Sequence, residues 1–249
     1  KLKLRSAVKV SCNIYFYQLG LLTGDNIINS FAQKLGLGRI TGIDLPNEKI
    51  GYLSGEVAHN KRHESKISKG IPGWKWTRGL LLDLAIGQAQ VITPLQMALM
   101  VGGLGNGKYL YKPFVMKEQR AMDGTVIKQN GPEILNTFNF DSASIKIIQL
   151  AMEDVVIKPG GTGRRARVSG IRVGGKSGSA ENPHGEKTHG VFVACAPMEK
   201  PVIAVSAVVE NAGHGGTVAA PIIGHILRYF FSETEEGKKL TALYSLKQE

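Results

Sequence analysis

The apolar residues of this 249-residue chain change their spacing once, after Gly160-Gly161, and this change restricts the fold more than any other feature. Upstream the spacing is helical. Tyr15, Leu19 and Leu22 form one stripe from Ile14 onward, and a second helix is predicted from Asp25 to Gly36-Leu37-Gly38, where glycine takes a left-handed cap. Residues 54–78 are polar, basic and turn-rich, and predict a long loop. Thr93-Pro94-Leu95-Gln96 starts a helix, with threonine as N-cap, proline at the first helical position and glutamine at the third. That helix is predicted to end in the glycines at 102, 103, 105 and 107. Another begins near Ser142, with Ile145, Ile148, Met152, Val155 and Val156 on one face.

Downstream the period is two. Val191, Val193 and Cys195 alternate with Phe192 and Ala194; Ile203, Val205, Ala207 and Val209 alternate with Val202, Ala204 and Val208. Ala196 to Pro201 reads as a hairpin connection. Thr217 is expected to cap a closing helix that buries Val218, Ile222, Ile223, Ile226, Leu227 and Phe230, and residues 232–249 are polar and expected to fray. Helices followed by hairpin-linked strands and a closing helix predict an α+β fold, helices on an antiparallel sheet plus a helical layer.

Composition narrows the function classes. Hydrophobic residues at 43% and charged residues at 20% exclude a disordered chain. Two cysteines exclude a disulfide scaffold or a multi-cysteine zinc module, and no metal or other cofactor is expected. The net charge of +11 comes from dispersed lysines and arginines with no nucleic-acid-binding motif, so a solvated basic surface is expected and no nucleic-acid partner. No apolar run reaches the ~18 residues of a membrane span. The chain opens on Lys1 with no leader, and a segment upstream is expected.

Two short motifs could carry chemistry. In Ser11-Cys12-Asn13, opening a helix, residues two apart point the same way, so hydroxyl and amide can face one cleft while Cys12 turns inward. In Lys176-Ser177-Gly178-Ser179, preceded by Gly174-Gly175, the glycines leave a strand edge bare for a substrate backbone. The lysine there offers a fixed positive charge, and the two hydroxyls suit a carboxylate. Helix capping by Ser11 and Asn13 and a solvated strand start at Lys176 are the plainer alternatives.

With these motifs in this order, the sequence resembles the transpeptidase domain of class B penicillin-binding proteins, nearest the type 2, cell-elongation group. The likeness spans residues 1 to about 231: RSAVKVSCNIYF from Arg5, GLGRITGIDLPNE from Gly36, LAIGQAQVITPLQMALMVGGLGNG from Leu84, GKSGSAE from Gly175 and VVENAGHGGTVAAPIIGHIL from Val208. The resemblance implies the penicillin-binding/serine β-lactamase-like fold, an antiparallel sheet flanked by helices plus a mostly helical subdomain with the site between them, and acyl transfer on the D-Ala-D-Ala end of peptidoglycan stem peptides, with β-lactams as inhibitors. It implies that Ser11 relays protons, Asn13 holds the substrate amide and Lys176 supplies positive potential. Ser177 and Ser179 would grip the terminal carboxylate, beside Gly178, and the Ser179 N–H would be an oxyanion donor. It further implies wall-elongation partners and a place at the extracytoplasmic face of a bacterial inner membrane, the anchor lying outside this chain. A penicillin-recognising sensor, an inert docking homologue and a serine β-lactamase are the alternatives.

The sequence departs from the family pattern at three places. Ser177 stands where many relatives carry threonine; Leu80 and Ala89 stand where an aspartate and a glycine are expected. The Ser-x-x-Lys nucleophile box belongs several tens of residues before Ser11, so it is expected upstream, and the chain alone is expected to be inactive. Ser6-Ala7-Val8-Lys9 fits the spelling at the wrong place. Of the other candidates, His59 and His63 beside Glu64 read as solvated histidines rather than a metal site. One of His184, His189 and His214 could line the cleft, Gly103-x-Gly105-x-Gly107 follows a helix and is no phosphate loop, Cys195 reads as core and Cys12 as buried under its turn.

Overall fold

The computed structural model describes residues 2–182 and 187–245. Seven helices come first: α1 (Leu4–Val10), α2 (Asn13–Thr23), α3 (Asp25–Lys34), α4 (Glu56–Arg62), α5 (Glu64–Ser68), α6 (Arg78–Ala85) and α7 (Pro94–Asn106). Short strands β1 (Tyr109–Tyr111), β2 (Glu118–Arg120), β3 (Val126–Gln129) and β4 (Ile134–Thr137) follow, paired β1 with β4 and β2 with β3. Then come α8 (Ser142–Ile157), a 3-10 turn (Arg164–Ala166), β5 (Gly174–Ala180), β6 (His189–Ala196), β7 (Ile203–Val209), α9 (Gly215–Glu233) and α10 (Glu235–Ser245).

Strands β5, β6 and β7 make one antiparallel sheet with β6 in the middle. Alternation along β6 feeds two cores. Phe192, Ala194 and Ala196 pack under α9 with Ala219, Ala220, Ile223 and Leu227, all fully buried. Val193 and Cys195 point the other way, against Val101 of α7 and Met152 of α8. A buried Phe192 contributes roughly 2–3 kcal/mol through the area it removes from water. Helix α7 lies close on this face because Gly105 has no side chain: a β-carbon there would stand 2.5 Å from Cys195 Sγ. The predicted N-cap of α7 is a full capping box between Thr93 and Gln96, and Gly107, at φ 74°, ends the helix. Gln96 is fully buried and donates from Nε2 to Arg39 O (2.6 Å) and Ile50 O (3.0 Å), fixing the 39–50 segment to α7.

Helix α9 begins at Gly215 rather than behind a Thr217 cap. Its first turn is pressed against β6 and the segment after α8: β-carbons at Gly215 and Gly216 would lie 2.0 Å from Val191 O and 2.1 Å from Thr162 O. Its buried face is Ala219, Ala220, Ile223, Leu227 and Phe231, whereas Ile222 and Ile226 are exposed and Phe230 is half-buried. Pro221 has no N–H to offer the carbonyl of Thr217, and Arg165 Nη1 donates to that oxygen instead, at 2.9 Å.

Other expectations need correction. Residues 232–245 do not simply fray, the rest of the 232–249 tail lying outside the described residues: α10 folds back on α9, packing Leu240 and Tyr244 against the core, and Thr241 Oγ1 donates to Phe231 O. The 54–78 segment is not one long loop, since α4 and α5 are held by ring contacts of His59 with Trp76 and of His63 with Trp74, and Lys66 Nζ sits 3.2 Å over the Trp74 ring. Leu19 and Leu22 are exposed, and α2 instead packs Gly20 onto Ala85 of α6. Cys195 is buried as expected, whereas Cys12 is half-buried.

Candidate active site

Helix α1 is docked on α8 by an ion pair between Arg5 and Asp154, whose second arm runs from Arg5 Nη2 to Oδ1 at 2.7 Å. The helix ends at Ser11, which adopts a left-handed conformation (φ 53°, ψ 52°) rare for residues other than glycine. The Ser11 N–H donates to Val8 O and the Cys12 N–H to Ala7 O, so the turn closes tightly, and α2 starts two residues later at Asn13. Ser11 and Asn13 are thereby held at a junction of two helices, and both line a cleft of about 610 Å³.

The opposite wall is β5. Lys176 stands opposite Val193 in the sheet, and directly paired residues share a face, so its side chain leaves toward α8 and α1. Lys176 Nζ donates to Ser11 Oγ at 2.6 Å and to Ser177 O at 2.6 Å. Burial pulls the Lys176 pKa down from 10.5 to about 8. Ser177 pairs with Phe192 and faces the α9 side, where its hydroxyl donates to Thr162 Oγ1 at 2.7 Å. Ser179 Oγ lies 3.2 Å from His214 Nδ1. All four residues of Lys176-Ser177-Gly178-Ser179 line the same cleft as Ser11 and Asn13.

The structure adds Thr162, Arg165, Gln88 and His214 to the lining. The sequence marked Thr162 only by the glycines around it, which permit close approach: a β-carbon at Gly163 would meet the Phe192 ring at 2.6 Å. Arg165 and Gln88 had no local signal. His214, one of three histidines weighed, stands at the N-cap of α9. His189 instead accepts from the Asn211 N–H, and His184 lies outside the described residues. Ala89 keeps a negative φ, so the alanine that stands where glycine was expected carries no left-handed strain. Ser6 and Lys9 belong to α1 and do not line the cleft; Lys9 Nζ donates to Pro159 O.

Comparison with known proteins bears on this geometry. Residues 1–228 match the penicillin binding protein transpeptidase domain. The chain belongs to the penicillin-binding protein transpeptidase family. The chain is 34% identical over 231 residues to stage V sporulation protein D of Bacillus subtilis, covering 89% of this chain and 33% of that protein. It is 30% identical to the peptidoglycan D,D-transpeptidase MrdA of Acinetobacter baumannii, covering 87% and 33%. Among solved structures, that of Pseudomonas aeruginosa PBP2 in complex with WCK 5153 superposes with a TM-score of 0.77 at 28% identity, covering 94% of this chain and 50% of that one. The expected family and α+β fold hold. This transpeptidase-family chain spans about a third of the length of the curated relatives it matches.

Proposed function

We propose that the chain is part of a peptidoglycan D,D-transpeptidase that cross-links stem peptides through a serine acyl-enzyme and is a target of β-lactams. The observation that carries this reading is the 2.6 Å bond from Lys176 Nζ to Ser11 Oγ, at the edge of a strand that can receive a peptide. In this reading the nucleophilic serine comes from the Ser-x-x-Lys box expected before Ser11. It attacks the penultimate D-Ala carbonyl, its hydroxyl proton passing to the lysine of that box; the carbonyl π pair moves to oxygen, which the Ser179 N–H stabilises, a contact worth ~3 kcal/mol of barrier. Collapse breaks the peptide bond, and Ser11 hands a proton to the departing D-Ala amine, taking in return the one held by that lysine. An amine of a second stem then attacks the acyl carbonyl, the serine ester bond breaks, and the amine's proton returns to the serine by the same path. Lys176 holds the Ser11 hydroxyl oriented and supplies positive potential beside the developing anion. Ser177 and Ser179 bind the terminal carboxylate, with Thr162, Arg165 and His214 around them, and Asn13 holds the substrate amide. The same reading places the protein in the bacterial cell envelope, at the extracytoplasmic face of the inner membrane, with proteins of a wall-elongation complex as partners.

The test is incubation of the natural full-length protein with a D-Ala-D-Ala stem peptide and an amine acceptor. Release of D-Ala with formation of a cross-linked peptide is the expected outcome. Rapid turnover of penicillin would instead mark a β-lactamase, and penicillin binding without D-Ala release would mark a sensor or a docking homologue.

A further inference from the structure

The open edge of β5 is not vacant. Gln88 lies against it with its carboxamide bonded at both ends: Nε2 donates to Ser179 O at 3.2 Å, and Oε1 accepts from the Glu181 N–H at 3.1 Å. An added strand would bring an N–H to the same Ser179 oxygen, and an antiparallel one would pair its C=O with the Ser179 N–H. The Gln88 amide nitrogen therefore stands where the N–H of an added strand would stand. Its backbone is fixed. The Gly87 N–H donates to Leu84 O and the Gln88 N–H to Asp83 O, closing α6, with Gly87 at φ 88°. Displacing Gln88 thus means rotating a side chain and leaving the loop in place.

Strand geometry then orders the edge. The N–H and C=O of one strand residue point to the same side, so the outward group of Ser179 includes its N–H as well as the oxygen that Gln88 holds. Lys176 Nζ already holds Ser177 O. A ligand carbonyl can approach the Ser179 N–H with Gln88 in place. A ligand that also brings an amide N–H to Ser179 O needs the position the carboxamide fills.

We propose that Gln88 is a specificity-determining residue of the acyl-transfer site, competing with the backbone amide of an incoming acyl donor for the Ser179–Glu181 edge of β5. It rests on the transpeptidase reading above. Donors without that amide pass Gln88 undisturbed; donors with it must first displace the carboxamide. Gln88 is half-buried, and Leu is close to it in volume, so Gln88→Leu keeps the packing and removes both bonds.

The test uses the full-length protein and two β-lactams sharing one bicycle: benzylpenicillin, which carries an acylamino group, and penicillanic acid, which lacks it. Acylation rate constants are measured by intact mass for wild type, Gln88→Leu and Gln88→Ala. The expected result is a rise of roughly fivefold to tenfold in the benzylpenicillin-to-penicillanic acid rate ratio in both variants, the gain of releasing two neutral hydrogen bonds. A residue that only braces the loop would slow both compounds alike and leave the ratio unmoved. An unchanged or lower ratio, with wild type acylated by both compounds, overturns the role of Gln88 alone. Failure of benzylpenicillin to acylate wild type overturns the transpeptidase reading together with it; where wild type is acylated by benzylpenicillin alone, an unraised benzylpenicillin rate in both variants overturns the role of Gln88 alone.

Discussion

Lys176 Nζ donates to Ser11 Oγ at 2.6 Å although 165 positions separate the two residues in sequence. The bond joins the sheet to the helical junction where α1 meets α2. Removing the ammonium should therefore cost both electrostatic stabilisation and the orientation of the hydroxyl. Lys176→Ala in the full-length protein is expected to slow acylation by labelled penicillin ~100-fold or more, the scale of losing one preorganised donor. Lys176→Arg should lose less, because the charge stays while the planar fork fits the tight site poorly. Wild-type rates in the alanine variant would count against any role in catalysis.

The pH dependence follows from the same residue. Burial lowers the Lys176 pKa to about 8, so the side chain is charged below that pH and neutral above it. If its charge stabilises the developing anion, acylation falls as pH rises through 8. Lys176→Arg should remove this alkaline decline, because a guanidinium stays charged. Folding stability runs the opposite way: between 8 and the unfolded value of 10.5 the unfolded chain binds more protons, so stability rises with pH across that window. A flat acylation profile from pH 7 to 9.5 would contradict the electrostatic role.

The position of Ser11 depends on how α1 is held. The Asp154 side chain is 10% exposed and that of its partner Arg5 is 43% exposed. Arg5→Ala strands a nearly buried carboxylate and should destabilise by about 2–4 kcal/mol. Asp154→Asn leaves an arginine that can turn to solvent and should cost less, about 1–2 kcal/mol. Urea unfolding of both variants checks the order, and equal losses would deny that burial of Asp154 sets the cost.

How far the sequence foretold this arrangement depended on where each signal lay. Ser11, Asn13 and Lys176 through Ser179 were legible because their chemistry is spelled within three or four residues. Arg165 was not, because its place depends on Pro221 leaving the Thr217 carbonyl free, a fact of tertiary approach. Gln88 was not, because nothing near it indicates that Ser179 lies alongside. The strands of the main sheet were visible through their period of two, whereas β2 and β3 are exposed throughout and gave no alternation. Helix α10 is polar on most sides and owes its place to Leu240 and Tyr244 meeting the core. The inner face of α9 came out partly wrong, with Ile222 and Ile226 exposed, because the first turn is seated on Gly215 and Gly216 rather than on a threonine cap.

Ser6 and Lys9 share a face of α1, which is what the spelling of a nucleophile box needs. Yet Ser11, in the same segment, sits against Lys176, and Lys9 is engaged with Pro159 O. The 249-residue chain alone is expected to form no covalent penicillin adduct. Intact mass after incubation with a β-lactam reads this directly, and an adduct mapped to Ser6 would overturn it.

Ser11 and Lys176 are expected to act as one unit in acyl transfer. A double-mutant cycle in the full-length protein tests it, with acylation by labelled penicillin measured for wild type, Ser11→Ala, Lys176→Ala and the pair. The double variant is expected to be about as slow as the slower single variant. Two losses that simply multiply would contradict it.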